Sequence, residues 1–363
     1  MSIDMNEDKY MIIFAGIGIG LLSVFLVYFN ITPFYVSCFL RDISASLGFC
    51  HIQGIHYPQP VTWGLIIGSF FATALFKEIK TGFNKKNVYN PMLMFILGII
   101  MMIGALLFMA CPMGMIYRIA RGDLNALLAV PGYILGIFIG VIFINNGFSL
   151  KNTYSSNRSN VIVRFISYVL FIFLIAAPIY ILFKNNIEVR HYLWGISIVA
   201  GIVSGFLFQR SRLCTMGAIR NYLLIRNNFL GLGILAFIIV IITGYYFIGM
   251  INFGFADQPR AHTDFIWNII GMFIVGLSSV FAEGCPLRHI ILAGEGQLNS
   301  LITVFGMITG ASISFNFGIA ASVEGVGLNG VIAASICVFV LLSIGVYNSR
   351  FFSVNELQSL RKQ

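Results

Sequence analysis

Charged residues are scarce in this chain, and that scarcity excludes a soluble globular domain. Asp, Glu, Lys and Arg make up 10% of the 363 residues, whereas soluble domains carry about 25%. Hydrophobic residues make up 58%, and the mean hydropathy is +0.91. Basic residues outnumber acidic ones, 22 against 13. In so apolar a chain this excess mostly sets orientation in a bilayer, and no basic stretch with interleaved aromatics indicates nucleic acid.

Recognisable metal and cofactor motifs are also missing. The six cysteines contain no Cys-x-x-Cys pattern, which argues against a zinc ribbon or a small disulfide-rich domain. The spacing of Cys50, His51 and His56 matches no strong metal site. We therefore predict neither a metal nor a cofactor. A single free cysteine is usually a small hydrophobe, and we expect Cys337 to serve only packing.

Long apolar runs are abundant, and they predict an all-α polytopic membrane protein. A spanning helix needs about 20 apolar residues. Segment 32–49 starts apolar and then carries Arg41 and Asp42, which predicts a re-entrant or half helix. With such elements, we expect about 9–10 transmembrane helices. The candidate spans are 11–29, 61–76, 92–111, 124–145, 161–183, 192–208, 230–250, 265–282, 298–320 and 328–347.

The basic loops predict the orientation. Lys and Arg concentrate in loops 77–90, 146–160 and 209–229 and in the tail, and such loops face the cytoplasm. If successive spans cross in alternating directions, the three loops and the tail all lie on the same side of the membrane. We therefore expect a multi-pass protein of the inner, cytoplasmic membrane. The acidic N-terminus argues against a cleavable signal peptide. That same acidic terminus fits the predicted cytoplasmic side less well than the loops do.

One segment of the chain occurs twice. Cys285-Pro286 follows Cys111-Pro112 by 174 residues, and the same offset pairs Leu-Asn and a Gly-xxx-Gly face downstream of each copy. An odd number of crossings separates the copies, so we predict two inverted repeats in an hourglass-like fold, as in transporters. The loops around Lys85 and Asp257 should then lie on opposite faces.

The repeats define the predicted domain organisation. We expect one membrane domain over 1–347 and a cytoplasmic tail over 348–363. The membrane domain would consist of a first repeat at about 10–147, a connecting span at 161–183, a second repeat at about 191–322 and a final span at 328–347.

The Cys-Pro pairs predict two helix N-termini inside the membrane. Proline is favoured at the first helical position, which places Cys111 and Cys285 at the N-caps. A helix N-terminus offers free N–H groups to an anion and makes a thiol there more reactive. Pro112, Gly114 and Pro286 would form these anion-binding turns. The alternative is a plain cysteine before a helix-starting proline in a surface loop.

The motifs together resemble the YeeE/YedE family of sulfur-compound membrane transporters, and most closely its YedE-like branch, described as selenium transporters. The resemblance covers about 11–347. Its motifs are "SCFLRDISASLG", "MACPMGMIYRIARGDLNALLAVPGY", "QRSRLCTMGAIRN", "DQPRAHTDFIWNIIGM" and "GCPLRHIILAGEGQ".

The resemblance implies uptake of a small sulfur- or selenium-containing anion, a selenium species or thiosulfate, past pore-lining cysteines. By motif these are Cys38, Cys111, Cys214 and Cys285. Arg288, three positions after Cys285, would attract the anion. Besides the anion and lipid, a cytoplasmic sulfur or selenium carrier is a conceivable partner. An enzymatic alternative, a membrane sulfurtransferase or thiol oxidoreductase relaying sulfur between cysteines, is less favoured because cofactor motifs are missing.

Other charged residues have simpler interpretations. Arg41, Asp42, Arg118, Arg121 and Asp123 are predicted to form loop ion pairs, which contribute little when exposed. In the segment "AHTD", Thr263 or Asp264 is expected to cap the span that starts near Phe265.

Overall fold

The structure is a computed structural model that describes residues 5–50, 59–77, 89–150, 165, 168–177, 180 and 191–349. Regular secondary structure in these residues is helical, which confirms the all-α class. The helices are α1 Met5–Tyr28, α2 Val36–Ser46, α3 Pro60–Leu75, α4 Pro91–Leu107, α5 Pro112–Ala120, α6 Leu124–Asn145, α7 Tyr168–Ala177, α8 His191–Ser211, α9 Thr215–Ile225, α10 Phe229–Ile248, α11 Phe265–Phe281, α12 Pro286–Gly294, α13 Leu298–Asn316 and α14 Leu328–Asn348.

The helices that can cross a bilayer agree with the predicted spans. In the described ranges, eight helical runs are long and apolar enough to span, so the chain is a multi-pass membrane protein. The shorter apolar helices α3 and α7 fall on the other two predicted spans, 61–76 and 161–183. Helix α2 has 11 residues, or about 16 Å at 1.5 Å per residue. It is therefore the half helix expected from segment 32–49.

The repeated segment of the sequence is also repeated in the backbone. Helices α4 and α11 both have 17 residues, and α5 and α12 both have 9. Each second copy begins 174 residues after the first, as do α6 and α13. Between the long and short helices the chain turns through a left-handed residue, Met109 (φ 65°) in the first copy and Glu283 (φ 62°) in the second. The same offset therefore relates the turns as well as the helices.

Hydrogen bonds at the helix ends show that α4 and α11 run in opposite directions. Tyr89, just before α4, donates from its hydroxyl to Glu283, just after α11, at 2.9 Å. His262, just before α11, makes a 2.8 Å hydrogen bond to the carbonyl of Leu107, the last residue of α4. Each helix thus begins where its counterpart ends. This antiparallel relation between equivalent helices is the arrangement expected of an inverted repeat.

The glycine faces explain how the two copies pack together. A Cβ added at Gly136 of α6 would collide with the carbonyl of Phe273 in α11. A Cβ at Gly310 of α13 would come within 2.8 Å of the carbonyl oxygen of Ile99 in α4. Small residues allow such close backbone approach in membranes. Each copy therefore packs its glycine helix on the long helix of the other copy.

Surface labelling checks this topology. Asn228 and Ala256 are exposed and flank opposite ends of α10, whose 20 residues span about 30 Å. We expect cysteines placed at Asn228 and at Ala256 to react with a membrane-impermeant maleimide from opposite sides of oriented vesicles. Labelling of both positions from the same side would contradict the fold. The native cysteines are buried and stay in place, so labelling of the parent protein measures the background.

Candidate functional site

Two of the cavities bounded by described residues are lined by several arginines, and each takes its name from one of them. The Arg260 cavity has a volume of about 230 Å³ and is bounded by Tyr35, Met109, Arg118, Arg121, Asp123 and Arg260, among others. The Arg288 cavity is larger, about 860 Å³, and is bounded among others by Tyr89, Arg212, Cys214, Arg220, Glu283, Arg288 and Glu295.

The cavities lie at opposite ends of the membrane-spanning helices. Leu230, at the start of α10, lines the Arg288 cavity, and Met250, just past its end, lines the Arg260 cavity. About 30 Å of helix separates these two residues, which is the thickness of a bilayer's hydrocarbon core. The Arg288 cavity shares its face with the basic loop 209–229, so the positive-inside rule predicts that it faces the cytoplasm.

Short helices start between the cavities, at the Cys-Pro pairs. Cys111 and Cys285 are the N-caps of α5 and α12, with extended backbones, and Pro112 and Pro286 occupy the first turns. Both cysteines are buried, at 0% and 3% exposure. In the described structure neither thiol makes a side-chain capping hydrogen bond. The surface-loop alternative is wrong, because these helix starts are enclosed by protein.

The other two cysteines predicted to line the pathway lie at the starts of α2 and α9. Cys214 is the N-cap of α9, and its sulfur accepts a hydrogen bond from the N–H of Gly217 at 3.5 Å. Cys38 lies inside the first turn of α2, where Tyr35 holds the N-cap position. The guanidinium of Arg260 donates to the sulfur of Cys38 at 3.8 Å. Cys38 is therefore beside the Arg260 cavity, and Cys214 lines the Arg288 cavity.

The four thiols are successive neighbours, from Cys38 beside the Arg260 cavity to Cys214 in the wall of the Arg288 cavity, and we call this series the thiol line. Cys111 lies near Cys38 and near Cys285. The sulfurs of Cys285 and Cys214 are 3.5 Å apart. Tyr133 lies near three of these thiols and bonds through its hydroxyl to Thr215 at 3.0 Å. The structure thus brings all four sequence-predicted cysteines together, and their role in transport stays a prediction.

The ion pair of Arg118 and Asp123 differs from the predicted loop pair. Its Nε–Oδ2 distance is 2.6 Å, and both side chains are almost fully buried. Arg118 also donates to the carbonyl of Phe108 at 2.7 Å, and Asp123 accepts from the N–H of Asn125 as the cap of α6. A buried pair of this kind fixes the turn between α5 and α6. Arg41 and Asp42 also form an ion pair, at 2.7 Å, but it lies within helix α2 and not in a loop.

The Arg288 cavity combines cations with carboxylates. The guanidinium of Arg288 lies 4.0 Å from the carboxylate of Glu295, and the side chain is 15% exposed. Tyr89 donates to Glu283 across the same cavity. Burial, together with the neighbouring Glu283 carboxylate, raises the pKa of Tyr89 to about 12. Tyr89 therefore stays a protonated donor at physiological pH.

Gly114 has a packing role in the first turn of α5. A Cβ there would lie 2.9 Å from the Cβ of Ala110 and 3.0 Å from the ring of Tyr35. The ring of Tyr35 in turn faces that of Tyr117, with centroids 5.4 Å apart. Gly114 thus lets Tyr35 sit against the helix start. An anion-binding role for this residue stays a prediction.

The remaining sequence-based interpretations have mixed outcomes. Asp264 is the N-cap residue of α11, as expected, but its carboxylate accepts from the N–H of Val326 rather than from the described part of its own helix. Cys337 is packed in the core of α14, as predicted. Cys50 is buried beside Ser44, whereas His51 and His56 lie outside the described residues.

Sequence reasoning missed the roles of Tyr35, Tyr133 and Arg260. Arg260 belongs to the "DQPRAHTD" motif, yet 222 residues separate it from Cys38. Neither residue, read in the sequence on its own, predicts the contact between Arg260 and Cys38. The structure also places three arginines around the cavity on the Cys38 side, namely Arg118, Arg121 and Arg260.

The eight long apolar helical runs define the class, which is an all-α polytopic membrane protein. Helices α4 and α11 run antiparallel, and the short helices α5 and α12 start between cavities at opposite ends of the bundle. Comparison with known proteins is more specific. Residues 210–347 match the family described as sulphur transport. The matched segment contains Cys214 and Cys285 and supports the resemblance to the YeeE/YedE family that the motifs predicted.

Two relatives carry the same description of function. The chain is 31% identical over 108 residues to the thiosulfate transporter TsuA of Escherichia coli strain K12, a match covering 30% of each protein. It is 33% identical over 103 residues to the thiosulfate transporter TsuA of Spirochaeta thermophila, covering 27% of this chain and 31% of the relative. The chain thus matches less than a third of the length of either relative.

Proposed function

We propose that this protein is a transporter or facilitated channel that takes up a small sulfur- or selenium-containing anion, such as thiosulfate or a selenium species. The observation that carries the proposal is the line of four buried thiols between two cavities on opposite faces. The similarity to thiosulfate transporters supports the same class of solute. Sulfur is polarizable, and a thiol is a weak donor, which suits a soft chalcogen atom.

The Arg260 cavity would capture the anion. Arg121 and Arg260 add positive charge there, while the charge of Arg118 is largely matched by Asp123. The Nη2 atom of Arg118 is buried with no hydrogen-bond partner among the described residues. A bound oxyanion would satisfy that donor, because a buried donor without a partner is costly.

The central thiols would pass the anion onward without trapping it. Cys111 and Cys285 begin two helices whose free N–H groups carry partial positive charge, and these helices point their N-termini toward the same centre. Dipoles and S–H groups bind an anion more weakly than a guanidinium does. Conduction needs several weak sites in sequence, and Cys38, Cys111, Cys285 and Cys214 would provide them.

The Arg288 cavity would release the anion to the cytoplasm. The 174-residue offset that relates the two copies pairs Arg121 with Glu295, so a cation at one mouth corresponds to a carboxylate at the other. Glu283 and Glu295 lower the affinity of this cavity for an anion. The positive charge of Arg288 still attracts the anion as far as Cys214. This asymmetry favours uptake through an inner membrane. A cytoplasmic sulfur or selenium carrier would accept the solute here.

The enzymatic alternative has one observation in its favour. Cys214 and Cys285 are close enough for sulfur to pass between them, as a membrane sulfurtransferase would require. We place it second because two cavities at opposite helix ends serve a transporter and have no use in such an enzyme.

Reconstitution tests the proposed function. Proteoliposomes containing only this chain should accumulate thiosulfate or a selenium anion, with selenite as the selenium probe and sulfate, whose sulfur is fully oxygenated and has no lone pair, as the control anion. We expect uptake of thiosulfate or selenite to exceed that of sulfate at least ten-fold. Equal rates for all three anions, or no uptake above empty liposomes, would overturn the proposal.

Arg260 should govern how tightly the anion is captured. Its side chain is exposed at the cavity mouth, so Arg260→Gln should leave folding intact. A hydrogen bond from a charged group contributes about 1.5–3 kcal/mol, so we expect the KM for uptake to rise about ten-fold. The control is Arg226→Gln, which removes an exposed cation on the opposite face. An unchanged KM in Arg260→Gln would show that this cavity is not the capture site.

A further inference from the structure

Cys214 and Cys285 form a close pair of thiols. Their sulfurs are 3.5 Å apart, and each cysteine is the N-cap of a different helix. A disulfide has an S–S length of about 2.05 Å, so the sulfurs need to approach by only about 1.5 Å. N-cap side chains lie outside the regular helical turns, and a rotation about the Cα–Cβ bonds moves the sulfurs with little change in the backbone.

The pair is also within reach of small oxidants and reductants. Cys214 lines the Arg288 cavity, whose volume of about 860 Å³ admits small molecules. Cys285 lies directly behind it, at 3% exposure. A reagent that enters this cavity therefore meets the sulfur of Cys214 first. The same route serves a thiol that later reduces the bond.

We propose that Cys214 and Cys285 are a redox modification site whose disulfide closes the transport pathway. Two S–H bonds break and one S–S bond forms, while two protons and two electrons pass to an oxidant such as hydrogen peroxide, which is reduced to two waters. The closure rests on the proposed function, whereas formation of the disulfide does not.

Oxidation would block the path in two ways. It removes both S–H donors at the end of the thiol line nearest the Arg288 cavity, and it ties the start of α9 to the start of α12. The hydroxyl bond between Tyr133 and Thr215 already anchors the start of α9 to α6, so the joined helix ends have little freedom to open. If this cavity faces the cytoplasm, reducing thiols there reopen the path. Uptake of a reactive chalcogen would then stop during oxidative stress.

Disulfide mapping tests the site directly. Purified protein is treated with hydrogen peroxide, free thiols are blocked with N-ethylmaleimide under denaturing conditions, and peptides are identified by mass spectrometry. We expect a peptide pair joined through Cys214 and Cys285 that disappears after treatment with dithiothreitol. The pair should be absent in Cys285→Ser and present in Cys50→Ala, which removes a buried thiol outside the line. Full alkylation of Cys214 and Cys285 after peroxide would overturn the site.

Uptake by the same proteoliposomes tests the closure. We expect peroxide to reduce uptake at least ten-fold and dithiothreitol to restore it, in the parent and in Cys50→Ala alike. Unchanged uptake by protein shown to carry the disulfide would overturn the closure. If the reduced protein shows no uptake while the cross-link forms, the proposed function fails and the redox site stands.

Discussion

Cys111→Ala and Cys285→Ala are each expected to reduce uptake at least ten-fold while leaving the yield of folded protein unchanged. Both cysteines are buried N-caps whose thiols make no side-chain capping hydrogen bond among the described residues. The helices therefore do not depend on the sulfur for capping, so we expect its loss to affect transport and not folding. Uptake into proteoliposomes, normalised to monodisperse protein from size-exclusion chromatography, measures the effect.

Serine at the same positions separates sulfur chemistry from the helix dipole. Cys→Ser keeps a hydrogen-bonding group and is a better N-cap than cysteine, but it lacks the soft sulfur. If sulfur is required, serine and alanine variants should lose uptake alike; if the dipole suffices, the serine variants should transport. Cys337→Ala is the matched control, since Cys337 is equally buried in α14. If Cys111→Ala and Cys285→Ala take up the anion as fast as the parent, the thiols have no role in transport.

Gly136→Leu and Gly310→Leu are expected to prevent stable folding. A Cβ at Gly136 collides with backbone in α11, and one at Gly310 lies 3.0 Å from the Cα of Ile99 in α4. Overpacking of a core costs about 1–3 kcal/mol when side chains can give way, and a backbone carbonyl gives way less easily. We expect little monodisperse protein and a large fall in the midpoint of thermal unfolding.

The control for these variants is another helical glycine. Gly231 in α10 has open space where its Cβ would be, so Gly231→Leu should fold like the parent. It carries the same gain in side-chain volume and the same change in helix propensity. Normal yield and uptake in both Gly136→Leu and Gly310→Leu would show that the glycine faces do not join the two copies.

Features encoded in short stretches of sequence were predictable. Apolar runs of about 20 residues gave the spans, and proline after cysteine placed Cys111 and Cys285 at helix starts. The 174-residue offset also predicted the close helix packing at Gly136 and Gly310. These features depend on neighbouring residues or on a fixed spacing, so a single sequence contains the information.

Contacts between distant segments were not predictable in the same way. Arg260 reaches Cys38 across 222 residues, and Cys214 meets Cys285 only because α9 and α12 converge. The burial of Arg118 likewise depends on the loop after α10 closing over the turn that begins α6, where Leu124 donates to the carbonyl of Gly254. Such contacts follow from the packing of the whole bundle, and no short sequence pattern predicts them.

Doubly labelled thiosulfate gives the most direct test of the claim that this chain moves an intact chalcogen anion. The terminal sulfur and the oxygen-bearing sulfur carry different isotopes, and proteoliposomes containing only this chain are filtered and counted for both. Transport predicts that both labels accumulate inside in a 1:1 ratio and that both are lost together in Cys111→Ala. Capture of the terminal label alone by the protein, with the other sulfur left outside as sulfite, would contradict transport and establish the sulfurtransferase.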